Sequence, residues 1–181
     1  MIGKIARMGH PALWQPAAAI TDPTADTIRR LAADMIETLT DAEGAGLAAP
    51  QVHVPVRMVI FAAPADRNDI QSSQDPNAHA PLTVLINPEI TVLDDTREGL
   101  WEGCLSLPGL RGYVERPRRI GYRGLGLTGN VIEREATGFH ARVVQHECDH
   151  LDGILYPQRM TDMKKFLYES ELKLWPQGLP F

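Results

Sequence analysis

Apolar positions change rhythm several times along the chain, and each change marks an element. Ile28, Leu31, Ala32, Met35, Ile36 and Leu39 recur at three- and four-residue steps, the spacing of one face of an α-helix. A helix is predicted over 24–42, with Asp22 as its cap and Pro23 in its first turn. Residues 1–22 read as an extended arm. The period then shortens. Residues 56–62, 82–86 and 90–93 are apolar and rich in β-branched side chains, which marks strands. Asn87-Pro88-Glu89 between the last two is a turn signal. Short strands are also predicted near 112–116, 119–125 and 131–136, with turns or bulges in the Gly-rich stretch 121–129. Residues 63–81 are rich in Pro and Asp and have no period, so a surface loop, mobile at its middle, is predicted there.

Helical spacing returns at Phe139, Val143, His146 and His150. At about 100° per residue they fall within one stripe, apolar in its N-terminal half and imidazole in its C-terminal half. Gly153 suits a helix stop. Cys148 falls on the opposite face. Arg142 lies about 60° to one side of the stripe, where it either borders an apolar pocket or is a solvated charge. Met163, Phe166, Leu167 and Leu174 predict a short terminal helix over 161–174, ending before Pro176. The order is one helix, many short strands, then two helices. That is an α+β fold, with mostly antiparallel sheets packed around a central helix.

Composition narrows the setting. A length of 181 residues fits one domain, 1–181, with a core that needs no disulfides. The formal net charge of −5 lends no electrostatic support to nucleic-acid binding. Cys104 and Cys148 are the two cysteines, which favours a reducing compartment. No signal peptide is evident, since His10, Pro11, Gln15 and Pro16 break any apolar run, and no apolar stretch reaches the length of a membrane span. The expected location is the cytoplasm.

The chemistry concentrates at Gln145-His146-Glu147-Cys148-Asp149-His150. Histidines four apart on a helix lie about 40° apart and can reach one metal ion, with the intervening Glu as an acid or base beside it. The plainer alternative is two satisfied core histidines. Two imidazoles do not complete a catalytic metal site. His10, His53, His79, His140, Cys104 and the carboxylates are candidates for a third ligand. Cys104 sits in Glu102-Gly103-Cys104-Leu105-Ser106, followed by Pro108-Gly109, which suggests a conformationally special strand end. As a thiolate it would bind zinc or iron strongly; as a lone cysteine it would be a small buried hydrophobe. Gly44-Ala45-Gly46-Leu47-Ala48-Ala49-Pro50-Gln51 lets backbone approach a ligand closely but lacks the ending of a phosphate loop.

Taken together, these three stretches resemble, in order, the three signature motifs of peptide deformylases. Met8-Gly9-His10-Pro11-Ala12-Leu13, Val84-Leu85-Ile86-Asn87-Pro88 and Val114-Glu115-Arg116-Pro117 extend the resemblance over most of residues 5–160, closest to the type 1 branch. It implies a metal-dependent hydrolase that removes the N-formyl group from the starting methionine of new polypeptides. It implies Cys104, His146 and His150 as ligands of one divalent metal, Fe²⁺ in the cell, with Zn²⁺ or Ni²⁺ possible. Glu147 is the implied general base and acid. The Gln51 amide and the Leu105 backbone N–H are the implied donors to the formyl oxygen. The methionine pocket would be lined by Ala45, Leu100, Phe139, Val143 and the edge of His146. Gly44, Gly46, Glu102 and Gly103 would meet substrate, and Arg111 its distal part. Arg116 is the implied partner of Asp149, fixing the helix against the Cys104 strand. The implied partners are N-formyl-methionyl nascent peptides, with possible ribosome contact.

Two other readings are weighed. A zincin peptidase shares His-Glu-x-x-His but expects a downstream His or Glu as third ligand; after His150 there is no His, and the nearest Glu are Glu169 and Glu171. A silent metal- or peptide-binding homologue would be expected to lose Glu147, Gln51 or Cys104, and all three are present.

Overall fold

The computed structural model describes residues 1–64, 75–172 and 174. It is α+β and its described strands pair antiparallel in the order β1-β2-β3-β4-β5, with β6 also on β4. The first helix, α1, spans Asp26–Asp41. It starts later than Asp22-Pro23 suggested, and its N-cap is Ala25, which makes no side-chain cap bond. Asp22 is used one turn earlier, where its Oδ1 accepts from the Thr24 N–H at 2.9 Å and the Thr24 hydroxyl at 2.6 Å. A short polar side chain that can close its own turn competes with helix capping in this way.

Strands β1 (Gly46–Ala48) and β2 (Met58–Ala63) follow. β2 is apolar on both faces because both are covered. Val59, Phe61 and Ala63 join a core cluster with Val144 and Leu151, whereas Met58 and Ile60 join Met35 and Leu39 of α1. The alternation of side chains along a strand sends successive residues to the two layers.

β3 runs over Ala80–Cys104 and β4 over Leu107–Leu125, longer than the short strands expected. Asn87-Pro88-Glu89 is not a turn between two strands; it lies within β3, where the register shifts between Ile86 and Glu89. Asn87 adopts φ 50°, and its side chain accepts from Ile20 N–H at 2.9 Å and donates to Ile20 carbonyl at 2.8 Å. Tolerance of left-handed backbone, the turn signal at this site, serves a bulge that ties down the N-terminal arm. β4 likewise runs through Pro117, next to another register shift. β5 is Val131–Thr137, close to the expected 131–136.

The 63–81 segment is not loop throughout. Its middle, 65–74, where mobility was expected, lies outside the described residues. Its last part forms a 3₁₀ turn at Pro76–Ala78, and Ala78 is fully buried. Asp75 accepts from the Thr137 hydroxyl at 2.6 Å, and the Asn77 carbonyl meets His140 Nδ1 at 2.8 Å, so this end docks on the start of the second helix. The terminal helix over 161–174 is also corrected. Met163–Lys165 is a 3₁₀ turn, β6 is Phe166–Tyr168, and α3 is only Glu169–Leu172. Backbone pairing with Leu110, Arg111 and Gly112 of β4 outweighs the helical spacing there.

The second helix, α2, spans Gly138–Leu151, and every residue from His140 onward is buried. It packs against β1, β2, β4 and β5. Gly153 follows at φ 73°, a left-handed stop. No helix among the described residues is long and apolar enough to cross a membrane.

Candidate metal centre and its surroundings

α2 carries His146 and His150 one turn apart, and the end of β3 delivers Cys104 to them. One ligand-type atom from each of the three lies within 4.8 Å of the others; among the described residues this is the group of donors that could hold a metal. Cys104 Sγ is 3.3 Å from His150 Nε2. His146 Nδ1 is 2.9 Å from Glu102 Oε2, which leaves Nε2 as the nitrogen available to the centre. The other histidines are employed elsewhere. His140 lies between Tyr122 Oη and the Asn77 carbonyl. His10 Nδ1 accepts from the Ala12 N–H, and its ring meets His53 edge-on.

The electrostatics match a cation at the centre. Burial alone would raise the Cys104 thiol, but the imidazoles of His150 and His146 outweigh it and hold the thiol well below its usual range. Burial alone would lower His146, and Cys104 with Glu102 instead carries it well above. Donors that recruit a proton between them in this way favour positive charge there, as a bound divalent cation would provide. Cys148 differs in every respect. It lies in the apolar cluster with Leu151, and burial pushes its thiol up.

Glu147 is 4% exposed, and its Oε2 makes no hydrogen bond to the described residues. Burial pushes its carboxyl up to about 7, with the imidazoles of His146 and His150 pulling down and the Cys104 and Glu102 charges pushing up. It packs onto β1 at Gly46, where a Cβ would fall 2.4 Å from Glu147 Oε1. Gln51 follows β1 in a 3₁₀ turn, Ala49–Val52. Its Oε1 accepts from the Ala48 N–H at 2.8 Å, which points Nε2 at Cys104 Sγ, 3.6 Å, and at the Ser106 hydroxyl, 3.1 Å. The used acceptor decides which end of the amide faces the centre.

Ala45 and Phe139 pack on the cluster that contains Val143. Leu100, 43% exposed, pairs with Val114 across β3 and β4. Leu105 lies over Gly44, where a Cβ would meet its Cδ1 at 3.0 Å. Arg111 covers Gly103, whose Cβ would collide with the guanidinium, and donates to Glu169 at 3.0 Å.

Two charged side chains differ from expectation. Glu102 was expected to meet substrate, but its carboxylate is enclosed by protein nitrogens. Arg116 donates from Nε to Oε1 at 2.6 Å and from Nη2 to Oε2 at 3.0 Å, Arg142 Nη1 donates to Oε1 at 2.7 Å, and His146 takes Oε2. Despite burial, His146 and Arg116 hold Glu102 well below the usual carboxylate range. Only its backbone is left to meet a peptide. Arg142 does not face solvent: it is 6% exposed, and its guanidinium donates to the Glu102 carboxylate and to the Val114 and Glu98 carbonyls. The expected partnership of Arg116 and Asp149 is present, Nη1 donating to Oδ2 at 2.8 Å, and Arg159 joins at 2.7 Å. Tyr156, which carried no signal in the sequence, stacks on His146 with ring centroids 6.0 Å apart. A Tyr in a short turn has no periodicity that links it to a helix it meets only in space.

Comparison with known proteins agrees with this geometry. The family described as polypeptide deformylase matches residues 2–166. Peptide deformylase 1 of Bordetella pertussis is 51% identical over 173 residues, 95% of each chain. Peptide deformylase 1 of Nitrosomonas europaea is 47% identical over 173 residues, again 95% of each. Among solved structures, peptide deformylase from Ehrlichia chaffeensis superposes with a TM-score of 0.82 at 31% identity, covering 91% of both chains. The Met-Ala-Ser-bound class I type b enzyme from Acinetobacter baumannii gives 0.78 at 34% identity, covering 88% of this chain and 99% of that one.

Proposed function

The chain belongs to the polypeptide deformylase family, and from that premise we infer that it is a metal-dependent hydrolase that removes the N-formyl group from the N-terminal methionine of newly synthesised polypeptides, releasing formate. The observation that carries this is the meeting of Cys104, His146 and His150 with a buried carboxylate, Glu147, and a buried amide, Gln51. We assign the whole chain, 1–181, to one catalytic domain.

The Cys104 thiolate and the two imidazoles would hold one divalent cation. Fe²⁺ is the ion proposed in the cell, with Zn²⁺ or Ni²⁺ accepted by the same donors, since thiolate and imidazole suit this group of metals. When bound, the cation acidifies a water and polarises a carbonyl oxygen. Glu147 accepts the proton of the attacking water on its carboxylate and delivers it to the departing amine. Burial raises its carboxyl, which favours holding a proton for delivery, and a neighbouring cation favours the ionised, accepting form. Gln51 Nε2 and the Leu105 N–H donate to the formyl oxygen as negative charge builds on it. A neutral amide does this without a charge that would compete with the cation.

Ala45, Leu100, Phe139, Val143 and the edge of His146 supply the apolar wall for the methionine side chain. The peptide backbone adds as a strand beside 44–46 and 107–109, with Gly44, Gly46 and the backbone of Glu102 and Gly103 in contact. β1 pairs only with β2 among the described strands, so its other edge supports such an addition. Arg111 meets the distal part of the peptide. Nascent chains as substrates support a cytoplasmic location and are the reason a ribosome contact is proposed with it.

The direct test is formate release from formyl-Met-Ala-Ser by anaerobically purified protein. Activity should vanish with a chelator and return with a divalent metal; metal-loaded protein that releases no formate would refute the assignment. A sharper prediction concerns Gly46→Ala. The added Cβ displaces the Glu147 carboxylate, and a misplacement of about 1 Å is worth about 10²-fold in rate. kcat should fall by that order while bound metal, measured by elemental analysis, stays stoichiometric.

A further inference from the structure

Arg142 is a buried cation on the inner helix, and nothing in the reaction above uses it. Its guanidinium reaches three acceptors on two strands. Nη1 donates to Glu102 Oε1 at 2.7 Å and to the Val114 carbonyl at 2.9 Å; Nη2 donates to the Glu98 carbonyl at 2.6 Å. Nε makes no hydrogen bond to the described residues. Burying a guanidinium with one nitrogen unpartnered costs stability, and an apolar side chain of similar volume would often fill such a space at least as well. A packing role alone therefore gives a poor account of Arg142.

Its position along α2 gives a better one. Arg142 stands one turn before His146, and Asp149 stands three residues after it. Both ends are anchored to the sheet. Arg142 grips β3 and β4 directly, and Asp149 accepts from Arg116 of β4 at 2.8 Å. Glu102 is the shared centre: Arg142 and Arg116 hold Oε1, and Arg116 and His146 hold Oε2. With Arg116 alone, the helix would have one ionic attachment beside the metal centre, helped by the Gln145 Nε2 hydrogen bond to the Pro117 carbonyl at 3.0 Å. With Arg142 it has two, one on each side of His146.

We propose that Arg142 is a positioning residue for the metal centre, holding α2 and the Glu102 carboxylate so that the His146 ring keeps its aim at the metal. The proposal rests on the metal-centre reading given above. Loss of a ligand's outer partner typically costs about 10–100-fold in metal affinity. Lysine restores the charge, but as a point donor it cannot replace a planar fork that spans a carboxylate and two carbonyls.

The test is release of metal from the Zn²⁺-loaded protein to a chromogenic chelator, with thermal unfolding of the same samples. Arg142→Met should release zinc about 10–100-fold faster than wild type, with Arg142→Lys in between. Met35→Ala, a fully buried truncation in α1 within a core cluster that holds no residue of α2, controls for lost stability alone and should release zinc at close to the wild-type rate. Arg123→Met, at an exposed pair 3.7 Å from Glu133, controls for lost charge. If Arg142→Met does not fold, Arg142→Lys carries the test and must still release zinc several-fold faster than wild type. Wild-type release rates in the Arg142 variants, or equal acceleration in Met35→Ala, would overturn the proposal and leave the function intact. Failure of the wild-type protein to bind zinc at all would strike the metal-centre reading itself.

Discussion

Glu147→Ala is expected to bind metal in near-stoichiometric amount, to keep the fold, and to lose most of its kcat. Glu147 is not among the three donors that converge, so its removal leaves the ligand set whole. Its carboxylate is buried, and Oε2 makes no hydrogen bond to the described residues, so little structure depends on its charge. What it supplies is proton transfer, worth about 10²–10⁴-fold, and the loss should be at least of that order. Glu147→Asp should be nearly as poor, because one methylene less draws the carboxylate back along a rigid, fully packed helix. Formate release and metal content measured on one preparation decide the matter. A Glu147→Ala protein that lost its metal, yet turned over when metal was added back, would make Glu147 a ligand or a bystander.

The second large effect is the contrast between the cysteines. Cys104→Ser removes the anionic donor, since a serine hydroxyl stays protonated where the Cys104 thiol is held low by two imidazoles. Metal affinity should fall by more than the roughly 10–100-fold that loss of an outer partner costs, and activity should follow. Cys148→Ser puts a hydroxyl into an apolar cluster. It should cost about 1–3 kcal/mol of stability and leave metal content unchanged. Equal metal content in the two purified variants would refute the role of Cys104.

Much of the site was legible because its parts are local. His146, Glu147 and His150 lie within one helical turn and a residue, so their common side follows from helix geometry alone. The placement of Cys148 away from the two histidines follows from the same arithmetic; its burial is seen only in the structure. Other signals were local as well but had two structural outcomes. Asn87-Pro88-Glu89 is a turn signal, and Asn87 takes left-handed backbone, yet inside a strand rather than between strands. The apolar spacing at Met163, Phe166 and Leu167 fits a helix, yet β4 offers Leu110 to Gly112 as partners, and an available strand edge lies outside any window of neighbouring residues. Asp22 likewise had two uses within reach of its side chain.

By itself, then, the sequence determined the α+β class, the inner helix with its imidazole stripe, and the three motifs that mark the family. The helix and each motif are written in spacing or residue identity over short runs of residues, and the class in the order of elements along the chain. Tertiary structure alone decided how Cys104, tied to the histidines by family resemblance but by no local spacing, meets them on α2, that the Glu102 carboxylate faces His146, and that Arg142 is buried as an anchor rather than solvated. These contacts join residues about 40 positions apart in the chain. A buried charge is stable only where its partners surround it, and those partners meet only once β3, β4 and α2 have packed.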